Sequence, residues 1–168
     1  GILGLGRIGK AIATRVQSLG MEVAYTGRKP QDVPYRYLPT LKELAAAVDF
    51  LVVACPGGEA TKNVVNAEVM AALGKNGTLI NIARGSIIDE VALVAALQSG
   101  TIKAAGLDVF ADEPNIPAGL MTMDNVVLLP HVGSATNETR KAMGDLCKAN
   151  LDAWFAGRPL LTLIPELA

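Results

Sequence analysis

Histidine, cysteine and aromatic residues are scarce in this 168-residue chain, which holds one His, two Cys and 4% Phe, Trp and Tyr. Cys55 and Cys147 lie far apart without C-x-x-C spacing, which excludes a disulfide scaffold and a Cys/His zinc site. The expectation is two buried thiols in a reducing compartment, hence a cytoplasmic location, and no metal. Long apolar runs are missing too. The longest, Val91 to Leu97, has seven residues, far short of the ~20 that cross a bilayer, so no membrane span is expected. No N-terminal stretch joins a basic segment, an apolar run and a cleavage site, so no secretory or organellar signal is visible. Nor does charge of one sign dominate. Fifteen Lys and Arg against 16 Asp and Glu leave a net charge of -1, and no field draws the molecule to nucleic acid or an anionic membrane.

What is present is apolar. Hydrophobic residues make up 51% and charged ones 18%, which excludes disorder and implies deep burial, as in a sheet covered on both faces. The length suits one domain that buries its core without disulfides or metal. No repeat or low-complexity segment appears. The chain opens on Gly1-Ile2-Leu3, which already reads as a strand, so a piece of a longer polypeptide is expected.

Short β-rich runs alternate with helical patterns. In Arg7 to Leu19, residues Ile8, Ala11, Ile12, Val16 and Leu19 fall at helical spacing, and Glu22 to Thr26 reads as a strand. Thr40 and Glu43 form a capping box for a helix over Leu41 to Val48. Strand Phe50 to Ala54 follows. Asn66 caps a helix ending near Gly74, Thr78 to Ala83 is a strand, and Asp89 caps a helix over Glu90 to Ser99 that Gly100 stops. Ala104 to Val109 and Val126 to Leu129 complete six strands. Most are apolar throughout, which predicts an α/β, doubly wound parallel sheet with helices on both faces, of Rossmann type. Beyond Pro130 a long helix carries Met143, Leu146, Cys147, Leu151 and Trp154 on one stripe, expected to dock.

Gly4-Leu5-Gly6-Arg7-Ile8-Gly9 is a G-x-G-x-x-G between strand and helix. Gly4 permits the tight turn, Gly6 lets backbone N–H groups approach a pyrophosphate, and Gly9 lets the helix sit against the strand. The free N–H groups and dipole of the helix N-terminus favour the anion. Strand, helix and second strand at the right distances point to a dinucleotide. NAD binders place an acid at the end of the second strand. Here the chain reads Val23-Ala24-Tyr25-Thr26-Gly27-Arg28-Lys29, with Thr26 where the acid would stand and Arg28 and Lys29 able to pair with a 2′-phosphate. The cofactor expected is NADP(H), with NAD(H) at lower affinity.

The one histidine, His131, follows the strand Val126 to Leu129, and ligand sites of parallel sheets lie outside the carboxyl ends of strands. Arg84 follows the strand ending at Ala83, Asp108 ends the next, and Glu113 lies in the loop after it. A carboxylate beside His raises its pKa and fixes its tautomer, and Arg offers a fork for a substrate carboxylate.

These segments resemble the motifs of the D-isomer-specific 2-hydroxyacid dehydrogenases: Gly4 to Gly9, Asn81-Ile82-Ala83-Arg84-Gly85, Gly106-Leu107-Asp108-Val109-Phe110 with Asp112-Glu113-Pro114, and Pro130-His131-Val132-Gly133-Ser134-Ala135-Thr136. Order and spacing match over practically the whole chain. The Tyr25-Thr26-Gly27-Arg28 stretch is similar to that of the family's NADPH-using glyoxylate/hydroxypyruvate reductases. The resemblance implies that Arg84 holds the carboxylate and carbonyl of a small 2-oxo acid, His131 donates the proton, and Glu113 supports His131. It places Asp108, the Ala83 main chain and Gly133 near the nicotinamide. Thr61 resembles a family position near the cofactor, and Pro56 is counted with it among candidate cofactor contacts. Residues 1–157 are then the dinucleotide-binding domain, and residues 158–168 a tail returning to a substrate domain that family members form mainly from an upstream segment. A homodimer is implied by analogy alone. The expected activity is hydride transfer between NADP(H) and a 2-oxo/2-hydroxy acid such as glyoxylate or hydroxypyruvate. The other reading is a nucleotide-sensing, corepressor-like protein of the same fold.

Overall fold

The computed structural model describes residues 1–163; of the expected tail, residues 164–168 lie outside them. Seven strands form one parallel sheet: β1 (Ile2–Leu3), β2 (Ala24–Thr26), β3 (Arg36–Tyr37), β4 (Phe50–Val53), β5 (Thr78–Asn81), β6 (Ala104–Leu107) and β7 (Val126–Leu128). Their spatial order is β3-β2-β1-β4-β5-β6-β7. The order reverses between β1 and β4, the switch point outside whose strand ends ligands of doubly wound sheets bind.

Six strands answer to the expected ones. β3 does not, because two residues between Pro34 and Pro39 are too few to show a period; Leu38 N–H, donating to the Tyr25 carbonyl at 2.9 Å, extends its pairing with β2. Four of the expected strands, those answering to β4, β5, β6 and β7, also run long at their carboxyl ends. β5 stops at Asn81 rather than Ala83 because the Asn81 side chain, not a neighbouring strand, accepts from Ala83 N–H at 3.0 Å.

The helices are α1 (Arg7–Ser18), α2 (Leu41–Ala46), α3 (Ala67–Leu73), α4 (Glu90–Gln98), α5 (Ala118–Met121) and α6 (Asn137–Phe155). The caps read from sequence are in place. The Thr40 hydroxyl accepts from Glu43 N–H at 3.2 Å while Glu43 accepts from Thr40 N–H at 3.1 Å, and Asn66 and Asp89 each accept from the N–H three residues on.

Alternation along the strands divides the core into two. Leu51, Val53, Leu79, Ala105 and Leu107 face α2, α3 and α4 through Leu44, Met70 and Leu93 in the larger cluster. Ile2 and Tyr25 face α1 through Ala13 in the smaller one. Helices lie on both faces as expected, but unequally: beyond β1 the α1 face of the sheet opens, with Phe50 42% and Val127 63% exposed.

The chain divides into two compact units after Pro130. In the second, the Thr136 hydroxyl caps α6 by accepting from Thr139 N–H at 3.2 Å. Asn150 binds the segment that follows, its Oδ1 accepting from Leu161 N–H at 3.0 Å and Thr162 N–H at 3.2 Å. The α6 stripe, expected to dock on the sheet or on a neighbouring body, is uncovered among the described residues, and the expected burial of Cys147 is corrected. Met143, Leu146, Leu151 and Trp154 are exposed, and so is Cys147, leaving Cys55 as the one buried thiol. Amphipathic spacing marks a face able to be covered, and among the described residues that face of α6 is not.

Candidate active site

The nucleotide turn joins β1 to α1. Gly4 sits at φ +94°, open to glycine at little cost, and a Cβ there would lie 2.6 Å from the Cys55 backbone. At Gly9 a Cβ would meet the Gly4 carbonyl at 2.3 Å, so only glycine lets the helix approach the strand this closely. Gly6 is different: no atom lies within 4 Å of where its Cβ would point. It is the N-cap of α1, which has no side-chain cap and no acid in its first turn. Open space before uncapped N–H groups fits the pyrophosphate of a dinucleotide. Arg7 and Ile8 are both exposed at that helix start.

Gly4 N–H donates to the Thr26 carbonyl at 3.0 Å, so the glycine turn abuts the carboxyl end of β2. Thr26 is 4% exposed. Gly27, Arg28 and Lys29 follow in a loop, the two cations exposed.

A cleft of about 550 Å³ lies between the turn and the ends of β4 and β5, lined by Ile8, Pro56, Gly57, Ala83, Arg84 and Ser86 among others. Four expected site residues, Ile8, Pro56, Ala83 and Arg84, therefore share one cavity. Asn81, 1% exposed, braces the main chain of two lining residues. Its amide donates to the Arg84 carbonyl at 2.9 Å and accepts from Ala83 N–H, clamping the main chain on both sides of the Ala83–Arg84 peptide. The Arg84 guanidinium donates to the Ala83 carbonyl at 2.6 Å. Two glycines leave the room this needs: a Cβ on Gly57 would come within 2.8 Å of Arg84 Cγ, and one on Gly85 within 1.9 Å of the Phe110 carbonyl carbon.

That last contact seats the Arg84 loop directly on the segment carrying Glu113. Glu113 Oε1 accepts from Phe110 N–H at 3.0 Å, and Glu90 Oε1 of α4 accepts from Ala111 N–H at 2.8 Å. Asp108 is buried beyond β6, its N–H donating to the Asn81 carbonyl at 3.0 Å. Thr61 lies in a 3₁₀ turn, and its hydroxyl donates to the Pro56 carbonyl at 2.9 Å, folding the loop that lines the cleft. Burial pushes the thiol of Cys55, which also lines the cleft, above its ordinary value. His131 and Gly133 belong to the second unit; His131 is exposed and stands at φ +55°.

Sequence reasoning missed Asn81, Gly57 and Glu90 as shapers of the site. Gly57-Gly58 directly after an apolar strand was the available signal for one of them.

A parallel sheet reversing at β1, a glycine turn there and an arginine fixed across the cleft define a dinucleotide-binding domain. The chain belongs to the D-isomer specific 2-hydroxyacid dehydrogenase family, whose NAD binding domain matches residues 1–133. It is 53% identical over 164 residues to glyoxylate/hydroxypyruvate reductase A of Arabidopsis thaliana, covering 96% of this chain and 52% of that protein. To the hydroxyphenylpyruvate reductase of Plectranthus scutellarioides it is 52% identical over 163 residues, with the same coverage. The NADPH-dependent glyoxylate/hydroxypyruvate reductase of Sinorhizobium meliloti, solved with NADP and malonate, superposes with a TM-score of 0.96 at 52% identity, over 98% of this chain and 52% of that one. The chain thus spans about half the length of the relatives it matches. No helix among the described residues is long and apolar enough to cross a membrane.

Proposed function

We propose that the protein carrying this chain is an NADP(H)-dependent reductase of small 2-oxo acids, with glyoxylate or hydroxypyruvate as substrate. The observation that carries the reading is the single cleft shared by the glycine turn and the clamped Arg84. Thr26 where NAD binders have an acid, with the cations Arg28 and Lys29 after it, supports the phosphorylated cofactor. Gly4, Gly6, Arg7, Ile8 and Gly9 hold the pyrophosphate side; Thr26, Gly27, Arg28 and Lys29 the adenosine side; Pro56, Thr61, Ala83, Asp108 and Gly133 the nicotinamide side. The relatives named above are reductases, and the corepressor-like alternative gains no support from them.

In this reading Arg84 binds the carboxylate and carbonyl oxygen of the 2-oxo acid through its fork. A nicotinamide held in this cleft would supply the hydride that the carbonyl carbon takes up. Negative charge then builds on the carbonyl oxygen, where a fixed cation stabilises the transition state more than the ground state. His131 delivers its proton to that oxygen, and Glu113 supports His131 in that role. Residues 1–157 act as the cofactor domain, with residues 158–163 leading toward a substrate domain, in a cytoplasmic homodimer.

The test is NADPH oxidation by the full-length polypeptide with glyoxylate, then with hydroxypyruvate. Fast turnover with either is expected; NADPH binding without turnover would overturn the reading.

A further inference from the structure

We infer that Gln31 is a specificity-determining positioning residue, tying the Arg28–Lys29 loop to the glycine turn and so fixing where a 2′-phosphate meets the two cations. The inference rests on the proposed NADP(H) preference and adds the part of the fold that makes the preference effective.

Two anion stations must be held at a set separation if one dinucleotide is to reach both. The first is the turn at Gly4 to Gly9; the second is the loop beyond β2. Gln31 spans them: its Nε2 donates to the Leu5 carbonyl, in the middle of the turn, at 3.0 Å. Because a carbonyl only accepts, the amide must present its nitrogen there. Gln31 N–H in turn donates to the Tyr25 hydroxyl at 2.7 Å. Tyr25 is 1% exposed and its ring lies 5.3 Å from that of Tyr37, tilted by 58°. The Tyr37 hydroxyl donates to the Gly27 carbonyl at 3.3 Å, pinning the other end of the loop. Between these anchors Arg28 and Lys29 are exposed. The loop is therefore fixed at both ends while its cations stay free to meet a ligand. A flexible loop would have to be ordered on binding, at a cost to affinity borne by whichever cofactor uses it. NADPH would use it through its 2′-phosphate; NADH would not.

The test measures Kd for NADPH and NADH, with KM and kcat, for the full-length polypeptide as wild type, Gln31→Leu, Tyr25→Phe, Arg28→Ala and the Gln31→Leu/Arg28→Ala double variant. Gln31→Leu should raise the NADPH Kd about fivefold, the worth of one lost hydrogen bond, and the NADH Kd less than about twofold. The KM for NADPH should rise while kcat at saturation holds. Adding Gln31→Leu to Arg28→Ala should have little further effect on NADPH, since the loop then holds less to position. Tyr25→Phe removes the hydroxyl that accepts from Gln31 N–H at the same end of the loop and should act in the same direction, which keeps the test open if Gln31→Leu folds poorly. Equal weakening of both cofactors, or none, while Arg28→Ala still separates them, overturns the role of Gln31 alone. An Arg28→Ala variant with unchanged preference overturns the cofactor reading and this inference with it.

Discussion

Two arginines stand beyond the carboxyl ends of strands of one sheet, and the chain holds them in opposite ways. Arg84 is exposed but tied down: Asn81 clamps its peptide, its guanidinium donates to Ala83, and Gly57 and Gly85 leave room for the backbone around it. Arg28 rides exposed on a loop secured only at its ends. A group that stabilises developing charge must be in place before the charge appears, whereas one that selects a phosphate needs only to be within reach.

The contrast breaks most sharply under a charge-conserving exchange at both positions. Arg84→Lys keeps the cation and loses the fork, and should lower kcat/KM for the 2-oxo acid by about 10²- to 10³-fold, the scale of one lost transition-state donor. Arg28→Lys should leave NADPH binding nearly intact. Steady-state kinetics on the two variants decide it, and similar losses at both would erase the distinction. His131→Ala belongs with Arg84→Lys: kcat should fall by about 10²- to 10⁴-fold as the proton donor is lost, with NADPH affinity kept. Equal loss of both would contradict its assigned role.

Next in size is the clamp itself. Asn81→Ala leaves Ala83 N–H and Arg84 C=O without their partner in the interior, a cost of about 1–3 kcal/mol. Thermal unfolding should therefore begin several degrees lower, at about 2–4 °C per kcal/mol for a domain of this size. Because the clamp acts on Arg84, kcat/KM should drop beyond what stability explains. An Asn81→Ala protein less stable but fully active would make Asn81 a core residue and nothing more.

How much of this was legible in the sequence follows from the range of each signal. The glycine turn, the caps at Thr40, Asn66 and Asp89, and Arg84 at a strand end all lie within a few residues of their partners, and each was readable. β3 was not, since two residues between prolines show no period. Nor was Gln31, whose partner Leu5 lies 26 residues away and leaves no local mark. Helical spacing placed Cys147 correctly on the stripe of α6, but spacing cannot supply a covering surface, and the thiol is exposed.

Smaller still is the effect of losing the loop cation. Arg28→Ala should raise the NADPH Kd by about tenfold, as one charge-assisted hydrogen bond is worth about 1.5–3 kcal/mol when formed in full and less at an exposed site. The NADH Kd should move little. Titrating each cofactor at low and at high salt sharpens the point: the NADPH effect should shrink with salt because exposed charges are screened, and an effect indifferent to salt would argue that the loop backbone has moved.

The smallest effect compares the two thiols, one in the fixed region beside Arg84 and one on α6. Alkylation proceeds through the thiolate. Cys55 is buried, and desolvation raises its pKa above the ordinary thiol value, so near neutral pH it is both shielded and protonated. Cys147 is exposed. Iodoacetamide should therefore label Cys147 first, by peptide mass, and the Cys55 rate should gain from alkaline pH over a range shifted above that of an ordinary thiol. Since Cys55 lines the cleft, saturating NADPH should slow its labelling and leave Cys147 unchanged. If cofactor protected Cys147 and not Cys55, the cleft beside Arg84 would not be where the dinucleotide binds.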